Sequence, residues 1–165
     1  MVALLVTAQA MAAFYGLYEI DNIYENESSG LRFYEKGEYE RALGLLKETA
    51  ALGMKRSQYV LGFMFLRGEG VGRNPLIGLA WMALATESGN EEWRATYDPM
   101  YEALNDAQRA VLDRKIEEYR GKYGAVVQGV TCAKTKIVGS RKVDWVCRKS
   151  AGSYELHEIE IPASR

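Results

Sequence analysis

The sequence predicts a mainly α protein: a short α/α superhelical solenoid of helix pairs that ends in a β-hairpin. Three observations carry this reading. A helix-pair unit repeats with a period in the thirties between residues 30 and 93. A capping signal at Asn105 opens an amphipathic run, and two β-prone runs face each other across Gly139-Ser140. The chain's 165 residues suffice for one domain whose core needs no metal. Hydrophobic residues at 48% and charged residues at 26% exclude wholesale disorder. A net charge of −1 gives no overall attraction to nucleic acid or to an anionic membrane. The apolar run Val2 to Leu5 near the start is far too short to span a bilayer.

Residues 1–13 carry no charge, and Ala8-Gln9-Ala10 and Ala10-Met11-Ala12 both fit the small-x-small pattern read by signal peptidase. A basic leading segment and a longer apolar stretch are missing. The segment is therefore expected to be the remnant of a signal peptide that starts upstream, which implies a periplasmic or secreted protein. The alternative is the N-terminal helix of a cytoplasmic one.

Residues 14–93 hold the repeat. Phe33-Tyr34-Glu35-Lys36-Gly37 aligns with Met64-Phe65-Leu66-Arg67-Gly68, with Tyr34 to Phe65 and Gly37 to Gly68 both offset by 31. Ala42-x-x-Leu45, closing at Gly53, aligns with Gly78-x-x-Trp81, closing at Gly89, at an offset of 36. The difference is the loop Glu69-Gly70-Val71-Gly72-Arg73, absent from the first unit. Each unit reads as helix, glycine turn, helix, glycine stop. Gly37, Gly53, Gly68 and Gly89 follow apolar-periodic runs, where a left-handed C-terminal cap is needed. Ala42, Ala50, Ala80, Ala83 and Ala85 let paired helices approach. Leu43, Leu46, Leu61, Trp81 and Leu84 fill the space between them.

These residues resemble a known family. Leu61-Gly62-x-x-Phe65-x-x-Gly68-x-Gly70-Val71 is similar to the first-helix half of a Sel1-like repeat. Gly78-Leu79-Ala80-Trp81-Met82-Ala83-Leu84-Ala85-x-x-x-Gly89-Asn90 is similar to its second half. Tyr34-x-x-Gly37-x-Tyr39-x-x-Ala42 is closer to a tetratricopeptide unit. Gly78 stands where alanine is usual and Asn74 where aspartate is usual. The resemblance covers about 60 of the 165 residues. It implies a protein-interaction scaffold or adaptor that binds through the groove between helix pairs, with Tyr34, Tyr59, Phe63, Arg67 and Trp81 flanking the contact.

Residues 94–124 are expected to cap the helical repeat. A helix runs from Glu91 to about Leu104, with Pro99 as a break or first-turn residue. Asn105-Asp106-Ala107-Gln108 reads as a capping box. Leu112, Ile116, Tyr119 and Tyr123 then share one helical face, and Gly121 or Gly124 ends the helix.

Residues 125–165 form the hairpin and tail. The midpoint of Cys132 and Cys147 falls between Gly139 and Ser140, so a symmetric hairpin about that turn sets the cysteines opposite each other. A disulfide is expected, and with it an oxidising compartment. The tail is also similar to that of bacterial envelope Sel1-type proteins, which carry a Cys…Gly-Ser-Arg…Cys pattern. Between 130 and 150, Lys134, Lys136, Arg141, Lys142, Arg148 and Lys149 outweigh Asp144. This basic finger either touches an acidic surface or is a solvated hairpin whose lysines discourage edge pairing. Trp145 is expected to pack the hairpin onto the helices.

No catalytic pattern emerges. Gly68-Glu69-Gly70-Val71-Gly72 lacks the preceding strand and the Lys-Ser/Thr of a phosphate loop. There is no nucleophile elbow and no His-x-x-x-His pair, and His157 stands alone in the tail. Glu25, Glu27, Glu35, Glu38 and Glu40 read as solvated helix surface. The expected protein is not an enzyme and takes no cofactor or metal. It acts as an envelope adaptor, with an immunity-type inhibitor of a cognate toxin, or a structural protein held on anionic polymer by the basic hairpin, as the alternatives.

Overall fold

The computed structural model describes residues 8–136, 139, 143–150, 157–159 and 161, with side chains described from Asp21 onward. Six helices are followed by a two-stranded antiparallel hairpin: α1 (Ala8–Glu35), α2 (Tyr39–Ala51), α3 (Lys55–Arg67), α4 (Pro75–Thr86), α5 (Glu91–Glu102), α6 (Asp106–Tyr123), β1 (Val130–Lys136) and β2 (Val143–Lys149). Each of the first four helices packs on the next, and α6 returns onto α4. Residues 8–13 are continuous with α1, while residues 1–7 of the expected signal remnant lie outside the described residues. No helix among the described residues is long and apolar enough to cross a membrane.

The caps follow local chemistry. Gly37, Gly53, Gly68 and Gly89 all have positive φ at helix ends. Gly68, at φ +76°, shows why: its N–H and that of Glu69 both donate to the Met64 carbonyl, and only glycine turns the chain there at no steric cost. The Asn74 side chain accepts from the Ile77 N–H while Pro75 starts α4, so asparagine caps here as aspartate would. Asn105 and Gln108 form the reciprocal capping box. Pro99 departs from the expectation of a break: it lies inside α5, which continues to Glu102. Gly124 does cap α6, but at φ −65° rather than in the left-handed region.

Helices α3 and α4 pack backbone against backbone. A Cβ at Gly62 would sit 2.9 Å from the Gly78 carbonyl oxygen, and one at Gly78 would sit 2.8 Å from that of Gly62. This mutual approach is why position 78 holds glycine. Around the pair, Leu46, Leu61, Met64, Phe65, Trp81, Met82 and Leu84 are fully buried. The α6 face of Leu112, Ile116, Tyr119 and Tyr123 closes over Trp81, with Tyr119 and Tyr123 each 4.9 Å from its ring.

In the hairpin, Cys132 pairs with Cys147 in register and the two form a disulfide. Gly139 has φ +79°, whereas Ser140, Arg141 and Lys142 lie outside the described residues. Among its contacts with the helices, two are made by β2. The Trp145 ring lies against Gly89, where a Cβ would meet it at 2.6 Å. At the other end the Lys149 backbone N–H donates to the Tyr24 hydroxyl at 2.9 Å.

Candidate functional site

On α3, Tyr59, Phe63 and Arg67 recur every fourth residue and so form one stripe. The stripe is extended by side chains from other helices. Trp93, on the first turn of α5, stacks on Tyr59 at 4.7 Å, and Tyr59 meets Phe63 edge-on at 5.0 Å. The Arg67 guanidinium lies 4.8 Å from the Phe63 ring centre, within cation–π range. Arg67 Nη1 donates to the Tyr34 hydroxyl at 3.4 Å, and that hydroxyl donates to Glu69 Oε2 at 2.7 Å. Tyr34 in turn lies 5.5 Å from Tyr39 on α2. The result is a continuous row, Tyr39–Tyr34–Arg67–Phe63–Tyr59–Trp93, across α1, α2, α3 and α5.

The aromatic members of this row are half-buried, and the Arg67 side chain is 57% exposed. Burial and the hydrogen bond to Glu69 push the Tyr34 hydroxyl up to about 12. It therefore stays a neutral donor that holds Glu69, and Glu69 in turn anchors Arg67 at 3.7 Å. Such a surface offers rigid apolar area with polar tips and one positive group, the composition favoured at protein interfaces.

Four of the five residues selected from the sequence belong to this row: Tyr34, Tyr59, Phe63 and Arg67. Trp81 does not. It is 0% exposed, enclosed by Tyr119 and Tyr123, and offers nothing to a partner. The reason is readable in α4 itself, whose stretch Pro75–Thr86 has no charged residue, and whose residues 77–85 are all buried. The sequence reading missed Trp93. Its position three residues after the N-cap Asn90 sets it beside the α3 stripe, a juxtaposition that no local pattern announces.

Trp93 also borders a cleft of about 530 Å³ between α1, the starts of α3 and α5, and β2. Glu27, Arg56, Glu92, Asp144 and Trp145 line it with Trp93. Glu27 corrects the reading of that residue as solvated helix surface: it is only 7% exposed. Its Oε1 accepts from the Ser57 N–H at 3.2 Å and from Ser57 Oγ at 3.0 Å, so it caps α3 from another helix. Burial raises the Glu27 carboxyl against the lowering effect of Ser57 and Arg56.

Beneath the cleft lies a buried polar cluster. Lys55, 1% exposed, donates to Glu87 Oε2 at 2.7 Å, to Gln58 Oε1 at 2.9 Å and to the Leu84 carbonyl at 3.0 Å. Glu87 also accepts from Arg120 Nε at 3.1 Å and from the Ala125 N–H at 2.8 Å. Burial alone would raise the Glu87 carboxyl, but Lys55 and these hydrogen bonds hold it below the usual carboxylate range. Gln58 bridges the carbonyls of Ala50 and Tyr123. The cluster thus ties α2, α3, α4 and α6 to the chain entering β1.

The basic residues of the hairpin divide. Lys149 is buried, 6% exposed, and donates to the carbonyls of Leu52 and Gln128, so it is a structural anchor rather than part of a basic surface. Lys134 pairs with Glu91 at 2.7 Å and lies 5.6 Å from the Trp145 ring. Lys136 and Arg148 are exposed, and Arg141 and Lys142 lie outside the described residues. His157 is half-buried against Tyr123, with ring centres 6.1 Å apart. Among the described residues no three His, Cys, Asp or Glu side chains converge as a metal site would require. Compared with known proteins, the sequence matches no family model and no curated protein.

Proposed function

We propose that this protein is a non-enzymatic interaction module of the bacterial envelope, built as a Sel1-like, tetratricopeptide-like solenoid, that binds a protein partner along one face of its helices. The observation that carries the reading is the aromatic row from Tyr39 to Trp93 with Arg67 exposed at its middle. Interface hot spots favour such Tyr, Trp and Arg side chains, held rigidly so that little conformational entropy is lost on binding. In a solenoid of helix pairs, alternate helices line one face, and α1, α3 and α5 contribute most of the row. The sequential packing of α1 to α4 and the glycine-stopped helix pairs agree with that architecture. The Cys132–Cys147 disulfide favours an oxidising compartment such as the periplasm.

Affinity capture from envelope extract, with the tagged 165-residue chain as bait, tests the reading. A stoichiometric protein partner is expected, and Arg67→Glu should weaken its capture at least tenfold, about 1.4 kcal/mol, without unfolding the chain. A single toxin-like partner would identify an immunity-type inhibitor, and two or more partners an adaptor. Retention of the partner by Arg67→Glu at wild-type affinity would remove the row from the interface. A folded bait that captures no protein would overturn the proposal.

A further inference from the structure

The cleft beside Trp93 carries a charge the fold does not need. Glu27 is 93% buried by its 7% exposure, yet only Oε1 is engaged, by Ser57. Among the described residues no hydrogen bond or ion pair reaches Oε2. A glutamine would accept the same two hydrogen bonds from Ser57 through its amide oxygen, without the cost of a buried charge. Ser57 Oγ is itself held by Thr49 Oγ1 at 2.7 Å, so the carboxylate is fixed in place. Glu87 contrasts with it: that carboxylate is matched by both Lys55 and Arg120.

The remaining lining extends the bias. Glu92 and Asp144 stand exposed at the border of the cleft. Against these two and Glu27 the lining sets Arg56, whose charge acts on the Glu27 carboxyl, while Lys55 is paired with Glu87, so three carboxylates face one uncommitted cation. Two indoles, Trp93 from α5 and Trp145 from β2, complete the lining. Carboxylates combined with indole rings are the chemistry that binds a guanidinium or ammonium group, through ion pairing and cation–π attraction together. Lys134, 5.6 Å from the Trp145 ring and paired with Glu91, already shows this combination at the edge of the hairpin.

The geometry points to a cation-binding cleft: the space between α1, the starts of α3 and α5, and β2 takes an Arg or Lys side chain of a partner protein, with Glu27 as its buried counter-ion and Trp93 and Trp145 beside it. The inference rests on the proposed interaction role and gives the partner a chemistry, a basic segment whose anchoring residue enters next to the aromatic row. Burial of Glu27 would then serve recognition, because an ion pair formed away from water discriminates strongly against a neutral or anionic side chain.

The experiment uses the oxidised full chain and three probes, Nα-acetyl-argininamide, Nα-acetyl-lysinamide and Nα-acetylglutamate, titrated while the tryptophan indole N–H signals are followed by NMR. Saturable shifts at Trp93 and Trp145 with the two cationic probes, and none with the acidic one, are expected. Glu27→Gln, which keeps the Ser57 hydrogen bonds, should weaken the cationic probes about tenfold, and Asp144→Asn by less. Glu40→Gln, on the exposed surface of α2 outside both the cleft and the aromatic row, should leave probe binding unchanged. Absence of saturation, equal binding of the acidic probe, or wild-type binding by Glu27→Gln would each overturn the inference. The two readings fail separately. A partner lost in Arg67→Glu but indifferent to Glu27→Gln, with no probe binding, removes the cleft alone. Probe binding with no partner captured removes the interaction role and leaves a cationic small-molecule site.

Discussion

The α3–α4 joint and the buried polar seat, where the helices meet the chain entering and leaving the hairpin, hold the same molecule together by opposite means. At the joint, two glycines bring backbones into contact and apolar side chains fill the surroundings, with Leu61, Met64, Phe65, Trp81, Met82 and Leu84 excluded from water. At the seat, the contacts are hydrogen bonds from buried charged and amide groups: Lys55 to Glu87, Gln58 to Tyr123, Lys149 to Leu52 and Gln128. The joint rests on complementary shape, which tolerates no added volume. The seat rests on satisfied polar groups, which tolerate no missing partner.

The largest expected effect therefore lies at the seat. Glu87→Ala strands Lys55 in a buried site and removes partners from Arg120 and the Ala125 N–H. A loss of about 3–5 kcal/mol is expected in urea unfolding. The pair itself is worth far less than its breakage, because both charges give up hydration to form it. Lys55→Met combined with Glu87→Leu should thus recover most of the loss. If the double variant is as unstable as Glu87→Ala, the seat is held by the charges themselves and not by the need to keep them matched.

Next comes the covalent link. Reducing Cys132–Cys147, or replacing both cysteines by serine, should cost about 3 kcal/mol if the bridge acts by restricting the unfolded chain, as expected for a loop of this length. Intact-mass analysis of protein from its native compartment should show the bridged form, and two free thiols there would remove the support for an oxidising location. Hydrogen exchange after reduction sharpens the comparison. The hairpin amides should lose protection while those of α3 and α4 keep theirs, because the joint is held by its own backbone approach and apolar packing.

At the joint the expected cost is smaller and runs in the opposite chemical direction. Gly78→Ala places a methyl 2.8 Å from the Gly62 carbonyl oxygen and should cost about 1–3 kcal/mol through overpacking. Gly44→Ala in α2 meets no atom within 4 Å and should instead stabilise by about 0.5–1 kcal/mol, since alanine favours a helix. The two substitutions are chemically identical, so a shared sign in thermal unfolding would show that close approach is not what selects glycine at 78.

Legibility in the sequence divides along the same line. The Asn105–Gln108 capping box, the turn glycines and the Cys132–Cys147 pairing were readable because their causes lie within a few residues or a symmetric hairpin. Tyr59, Phe63 and Arg67 are reached only through the family resemblance, although their spacing of four sets them on one face of α3. Trp81 reads as a contact residue because an aromatic in a repeat is as consistent with core as with surface, although the uncharged sequence of α4 already favours the core. Lys55, Glu27 and Lys149 were opaque for a stronger reason. Their acceptors or donors lie 32, 30 and 97 residues away at Glu87, Ser57 and Leu52, so each looks like an ordinary solvated residue until the helices are assembled. Polar burial is a property of tertiary structure, whereas apolar periodicity is written locally.

Glu27 gives the smallest predicted effect and the sharpest contrast between the two kinds of contact. Its carboxyl is raised by burial, so the folded chain binds a proton more tightly there than the unfolded chain does. In the window between the ordinary carboxylate value of about 4.5 and the raised folded value, folding takes up a proton, and stability falls as pH rises through it. Above that window the full cost of the buried charge is present. Glu27→Gln keeps the Ser57 hydrogen bonds and carries no charge. It should be more stable than the parent at pH 7, and the difference should shrink toward zero or reverse as the pH is lowered through the window. Matched urea titrations across that range check the sign. A stabilised glutamine variant that has lost the cationic probes would mean that the chain keeps this carboxylate at the expense of its own fold, as a recognition group would require. A variant destabilised at every pH would return Glu27 to the role of a helix cap, no different in kind from Asn74 or Asn105.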